Sequence, residues 1–229
     1  MPLNLLVIEN DKSAAALMTQ VFNTFGATVQ IASNAAAASH LARQAKFDGI
    51  FLELGLADMN GIDLTQRIRQ SSWNTRTPIV LVSRNADAHA AARAFQAGGT
   101  FFLPKSLNHN AIRKAFLSTR PVMFDECQRY TRISVASPVQ CFLGARELRG
   151  CVARNISSGG ILFEEDGTLH PSDNVRLLFE LEERSLPIVA RAQVVWADEK
   201  RRAGVNFTAM SHEDRLQIRK RIAARVGHL

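Results

Sequence analysis

The first half of the chain repeats one pattern five times: a short apolar run, then a helical segment. Residues 3–8 are almost continuously apolar, which is how a strand buried on both faces reads. Four more runs fall at residues 28–32, 49–54, 78–83 and 100–103. Helical segments follow at 13–25, from Asn34 to about Gln44, and at 59–70, 87–97 and 108–118. Ser33 or Asn34 can cap the second helix, and Gly26 and Gly98-Gly99 stop the first and fourth. Five β-α units of this size predict a doubly wound parallel sheet with helices on both faces. The functional crevice of such a sheet lies beyond the carboxyl ends of its strands. There the sequence places Glu9, Asn10, Glu53, Ser83 and Lys105.

The pattern changes a little past the middle. Residues 119–127 read as a linker, because Pro121 prevents simple continuation of the helix before it. Beyond residue 128 come short strand-like runs bounded by turns, at 132–135, 138–143, 150–154, 161–164, 173–180, 186–196 and 204–207. They predict a small closed β-barrel of six or so strands, a six-stranded barrel with its terminal helix. Ser211 caps a last helix reaching about Val226, with Asp214 placed as in a capping box. Leu216, Ile218 and Ile222 form its apolar face, and Arg215, Arg219, Lys220, Arg221 and Arg225 leave the rest basic. The fold class is therefore α/β plus β, divided as residues 1–118, a linker at 119–127, and residues 128–229.

With 229 residues, 46% of them hydrophobic, the chain can build two small domains with cores of their own. No apolar run approaches the roughly 18 residues of a membrane span, and no charged-then-apolar leader precedes the first strand. The expectation is a cytoplasmic protein without a membrane partner. The net charge is +7, and it is spread: residues 1–118 hold 11 Lys/Arg against 7 Asp/Glu, the remainder 17 against 14. Such a balance favours anionic partners in general, but no basic stripe interleaved with aromatics marks nucleic acid as one. Cys127, Cys141 and Cys151 lack CxxC spacing, so thiols in a reducing compartment are expected and a zinc site is not. The six histidines are scattered and no GxxxxGK loop is present, which argues against an enzyme.

Two stretches in the second half carry recognition chemistry. One is Gln128-Arg129-Tyr130-Thr131-Arg132; the other is Asn155-Ile156-Ser157-Ser158-Gly159-Gly160. Arginine offers a planar fork that grips phosphate bidentately and stacks on bases. Asn155 offers a donor and an acceptor, Ser157 a hydroxyl, and Gly160 a close backbone approach. On residues alone two readings stand: the stretches close on one anionic ligand, or Asn155 and Ser157 only bond the backbone of a turn.

Residues 1–118 resemble a response-regulator receiver domain. Leu5-Leu6-Val7-Ile8-Glu9-Asn10-Asp11 is similar to that family's first strand and acidic pair. Leu52-Glu53-Leu54 with Asp58-Met59-Asn60-Gly61 is similar to the segment around its phosphoacceptor. The resemblance makes Ser83 the switch hydroxyl, Phe102 the aromatic switch position and Lys105 the active-site lysine. Two departures matter. Glu53 replaces the family's Asp, and its extra methylene carries the carboxylate outward by ~1.5 Å; phosphoryl transfer depends on close positioning. Asn10 replaces one of two metal-binding carboxylates, and Mg²⁺ demands several hard oxygen ligands. The expectation is a pseudo-receiver that binds no metal and does not cycle through phosphorylation. A fixed Glu53–Lys105 ion pair would form its pocket, and the domain would serve as a scaffold or homodimerisation surface.

Residues 128–229 resemble a PilZ domain, the family of cyclic di-GMP receptors. Asn155-x-Ser157-x-x-Gly160 fits the family's Asp/Asn-x-Ser-x-x-Gly motif. Ala192-Gln193-Val194-Val195-Trp196 and Gly204-Val205-Asn206-Phe207 match its later strands in spacing. Arg132 fits the last position of its Arg-x-x-x-Arg motif, whose first position here is Gln128, followed by Arg129. A charged hydrogen bond is worth roughly 1.5–3 kcal/mol against ~1 for a neutral one. Gln128 is therefore expected to lower affinity by about tenfold or more unless Arg129 or Arg120 substitutes. The resemblance implies cyclic di-GMP as the ligand of Gln128, Arg129, Arg132, Asn155, Ser157 and Gly160. The function expected is a non-enzymatic signalling effector with a protein partner not named by the sequence. In it the ligand draws the junction stretch onto the barrel and reorients the receiver. The alternative is a nucleotide-independent adaptor, both of whose domains are degenerate and act through protein contacts alone.

Overall fold

Strand β1 (Asn4–Ile8) lies between β2 (Thr28–Ala32) and β3 (Gly49–Glu53), and β4 (Ile79–Ser83) and β5 (Phe101–Pro104) complete a parallel sheet ordered β2-β1-β3-β4-β5. The computed structural model describes residues 2–84, 87–105, 108–165, 168–181 and 186–226. It divides into two units, Pro2–Cys127 and Gln128–Leu229. In the first, the continuous apolar run at the N-terminus is buried on both faces. Leu5 and Val7 pack with Met18, Val21 and Phe22 of α1 (Lys12–Asn23) and with Ile112 and Phe116 of α5 (His109–Tyr130). Leu6 and Ile8 face α2 (Ala35–Gln44), α3 (Gly61–Arg69) and α4 (Ala88–Gln96), through Ala38, Leu64, Ile68 and Ala94. The first four helices start at strand carboxyl ends. Asp11, Asn34, Asn60 and Asp87 each accept a hydrogen bond from a first-turn N–H.

The last helix departs from the sequence expectation. Instead of stopping near Ser118, α5 runs through Pro121 to Tyr130, so residues 119–127 are helix. An interior proline costs about 3 kcal/mol in helix propensity. Burial on the far side of it offsets that cost: Met123 is fully buried and Cys127 nearly so, both in the cluster that contains Leu5 and Phe116. Each such side chain contributes roughly 1.5–3 kcal/mol. Met123 fits because residue 49 is glycine; a Cβ there would lie 2.5 Å from its sulfur. Glu126 Oε1 is 2.8 Å from Lys46 Nζ, which also donates to Thr77 Oγ1 at 2.6 Å. Burial pushes the Lys46 ammonium below the usual lysine value, against the hydrogen bond it donates to Glu126.

The second unit is an antiparallel barrel. Its sheet is ordered β10-β11-β12-β9-β8-β6-β7, and β10 also pairs with β6, closing six strands. The two runs read at 132–135 and 138–143 are one strand, β6 (Ile133–Leu143), with an irregularity between Ser134 and Ser137. Between that strand and the run at 150–154 lies a short strand that the pattern did not predict, β7 (Arg146–Leu148). Then come β8 (Val152–Ile156), β9 (Gly160–Glu164), β10 (Asn174–Phe179), β11 (Ile188–Ala197) and β12 (Arg202–Met210). Ile156, Ile161, Phe163, Leu177, Ile188 and Val205 fill the interior. Helix α6 (His212–Val226) adds Ile218 and Ile222 to that core, while Leu216, expected to pack with them, is 38% exposed. The Ser211 hydroxyl caps it by accepting from Asp214 N at 3.0 Å.

Candidate functional site

Each unit brings one set of residues together. In the first, Glu9 follows β1, Glu53 and Ser83 end β3 and β4, and Lys105 follows β5. Because parallel strands present their carboxyl ends on one edge, the four meet there. Lys105 Nζ lies 2.9 Å from both Glu9 oxygens and 2.7 Å from Glu53 Oε2. All three side chains are almost wholly buried. Backbone donors hold the carboxylates from the other side: Asp11 N donates to Glu9 Oε1 at 3.0 Å, and Gly55 N to Glu53 Oε1 at 3.1 Å. Burial alone pushes Lys105 down, but the hydrogen bonds and charges of Glu53 and Glu9 outweigh it and leave the ammonium above the usual lysine value. The cluster carries two carboxylates and one ammonium, and the lysine reaches Glu9 at 2.9 Å as well as Glu53 at 2.7 Å.

The remaining residues of this edge are arranged around the cluster. Asn10 donates from its amide to Gly55 O at 3.3 Å. Ser83 is buried, and its carbonyl accepts from Lys105 N at 2.7 Å. Asp11, part of the acidic run, turns away to cap α1; hydrogen bonds from Ala14 N and Ser13 N hold its carboxyl below the usual range. Asp58 is a residue whose local role sequence reasoning missed. Its carboxylate accepts from Ala35 N at 2.9 Å and Ala36 N at 3.1 Å, which ties the β3–α3 loop to the start of α2. Among the described residues, no group of three or more His, Cys, Asp or Glu is placed to hold a metal ion.

In the second unit, the β8–β9 turn packs under the end of α5. Arg132 Nη1 donates to Asn155 Oδ1 at 2.7 Å, joining the two recognition stretches directly. Burial pushes the Arg132 guanidinium below the usual arginine value. Gln128 O accepts from Ser158 N at 3.2 Å. Among the described residues the carboxamide of Gln128 makes no hydrogen bond. Residue 159 lies under the Arg129 carbonyl, 3.1 Å from where a Cβ would stand. Arg215 of α6 reaches the turn from another side, donating to Ser158 O at 3.5 Å; no motif in the sequence pointed to it.

The motif residues divide by role. Asn155 is partly exposed and holds the guanidinium. Ser157 is 1% exposed, and its hydroxyl is occupied by the turn. It donates to Gly160 O at 3.3 Å and accepts from Gly159 N and Gly160 N, both at 3.2 Å. Gly160 is required by β12, since a Cβ would collide with the carbonyl of Val205. The turn is thus pinned by its own serine, and the Phe207 N to Gly159 O bond at 2.9 Å fixes it to β12.

Residues 5–117 match the response regulator receiver domain family, and residues 127–224 match the PilZ domain family. The chain is 24% identical over 136 residues to the transcriptional regulatory protein ZraR of Klebsiella oxytoca, a match covering 59% of this chain and 28% of that one. It is 28% identical over 103 residues to the transcriptional regulatory protein CusR of Escherichia coli K12, covering 45% and 44%. It therefore spans less than half the length of these curated relatives. Among solved structures, the chemotaxis response regulator CheY4 of Vibrio cholerae aligns with a TM-score of 0.49 at 20% identity, over 52% of this chain and 98% of that one. No helix among the described residues is long and apolar enough to cross a membrane.

Proposed function

Because the chain joins a response regulator receiver domain to a PilZ domain, we propose that it is a signalling effector whose input is cyclic di-GMP, bound by the PilZ domain. Receiver and PilZ domains are generally non-enzymatic modules, and the chain acts without catalysis, in the cytoplasm, on a protein partner. The observation that carries the reading is the Arg132–Asn155 hydrogen bond of 2.7 Å. It presents a guanidinium fork, steadied by a carboxamide, at a turn held by backbone bonds. A phosphate then meets donors already in place, which lowers the ordering cost of binding. Gln128 and Arg129 border the same turn and complete the contact surface, while Ser157 and Gly160 support it from beneath. Binding shifts the chain between states that differ in ligand affinity.

The receiver is proposed to take no phosphoryl group. Lys105 is held between Glu9 and Glu53, and Asn10 gives the edge one anionic ligand fewer for Mg²⁺. Incubation with Mg²⁺ and acetyl phosphate should leave the intact mass unchanged; an adduct lost on Glu53→Gln would overturn this half of the reading.

Calorimetric titration tests the other half. Cyclic di-GMP should bind, Arg132→Ala should weaken binding by tenfold or more, and Gln128→Arg should strengthen it. No heat at high micromolar ligand, or an unaffected Arg132→Ala, defeats it. A second reading, the nucleotide-independent adaptor, draws on Gln128 in the clamp and on the Ser157 hydroxyl committed to its turn. Equal capture of a protein partner with and without nucleotide would favour it.

A further inference from the structure

The β9–β12–β11–β10 register runs a line of side chains outward from the recognition turn. Gly160 lies opposite Asn206, Asn206 opposite Gln193, and Gln193 opposite Asn174. The residues beside them on the same strands point into the barrel: Val205, Val194 and Val175 are at most 3% exposed. By the two-residue alternation of strands, the three carboxamides stand on the outer face, and all three are exposed. Among the described residues none of them makes a side-chain hydrogen bond. Asparagine is disfavoured in strands, so a row of three amides gains nothing for the sheet itself. Strand spacing puts successive members about 5 Å apart, beginning one strand away from the turn. Phe207 N, bonded to Gly159 O at 2.9 Å, fixes the first member against that turn.

We infer that Asn206 and Gln193, with Asn174 beyond them, form a base-reading row that selects guanine in the nucleotide held at Arg132 and Asn155. This rests on the cyclic dinucleotide reading of that turn. A guanine presents the O6 acceptor near one end of its pairing edge and the N2 amino donor at the other, whereas adenine has a donor at the first end and no amino group at the second. A single carboxamide can rotate to suit either base, because it carries both a donor and an acceptor. Two carboxamides in adjacent positions of a rigid sheet supply a donor at one end of the edge and an acceptor at the other together, and only guanine satisfies both. The row is neutral, so it supplies selectivity, while the attraction for phosphate remains with the arginines.

Titrations of the full chain with cyclic di-GMP and cyclic di-AMP, each at two salt concentrations, test this. Asn206→Ala and Gln193→Ala should each weaken cyclic di-GMP by about tenfold. The variant at the amino end of the edge should leave cyclic di-AMP within about twofold, the other should weaken cyclic di-AMP less than cyclic di-GMP, and neither should change the salt dependence. Arg132→Ala should weaken both nucleotides and flatten the salt dependence. If the preference for guanine survives both amide variants while Arg132→Ala still abolishes binding, the row reads nothing and only this inference falls. Equal weakening of the two nucleotides would also overturn it, since the amides would then only shape the surface. If the unaltered chain binds neither nucleotide, this inference falls together with the reading it rests on.

Discussion

Lys105 is the residue on which the receiver edge depends most. It neutralises two buried carboxylates at 2.7 and 2.9 Å, and no second cation joins Glu9 or Glu53 among the described ion pairs. Removing one partner of a buried ionic group is far costlier than the net worth of the group, because charges are left buried and uncompensated. Lys105→Met should therefore lower stability by about 3–5 kcal/mol at neutral pH in urea unfolding. The folded-state value of Lys105 is raised above 10.5. Its contribution is thus complete below about pH 10.5 and fades as pH rises through the folded value. The unaltered chain should lose stability over that range and Lys105→Met should not; equal alkaline profiles would remove Lys105 from the account. The Glu53–Lys105 pair was legible, because the two ends of parallel strands had to meet. That Glu9 shares this edge was legible in the same way; how closely each carboxylate approaches the lysine was not, since strand order does not say how far a side chain bends. For Ser157, motif and turn readings use the same atoms, and its hydroxyl bonds the turn.

At the scale of elements, the parallel sheet was readable almost to the residue because its strands are buried on both faces and its helices are capped by Asp and Asn at the start. The misreadings fell where tertiary packing overrode a local signal. Pro121 marks a helix end in any local account. Here Met123, Cys127 and the Lys46–Glu126 pair hold the next turns in place. Likewise, residues 136 and 137 look like a break between two strands, but pairing to β8 carries across an irregularity and leaves one strand. The short strand β7 escaped notice because three charged or apolar residues after a glycine give too little alternation to count. Barrel closure through β10 and β6 was expected only as a class, since register between distant strands leaves no trace in local periodicity.

At the scale of the whole chain, helix α5 bears anchors to both units within three residues: Glu126 bonds Lys46 in one, and Gln128 O bonds Ser158 in the other. A signalling role requires that ligand free energy deposited in the barrel reach the receiver, and this helix is the covalent route on which both anchors lie. A ligand that binds only the folded barrel stabilises it by about 2.7 kcal/mol at one hundred times its Kd. If the units were independent, that gain would stop at residue 128. Hydrogen exchange read by mass spectrometry separates the cases, since each unit has its own buried strands. With cyclic di-GMP near that concentration, β9 and β12 should gain protection by the full amount. Residues 123–127 of α5, and β3 where Met123 packs on Gly49, should change with them by a measurable fraction. Protection confined to the barrel would show that the nucleotide is sensed without being transmitted, and the effector reading would give way to one in which the receiver acts alone.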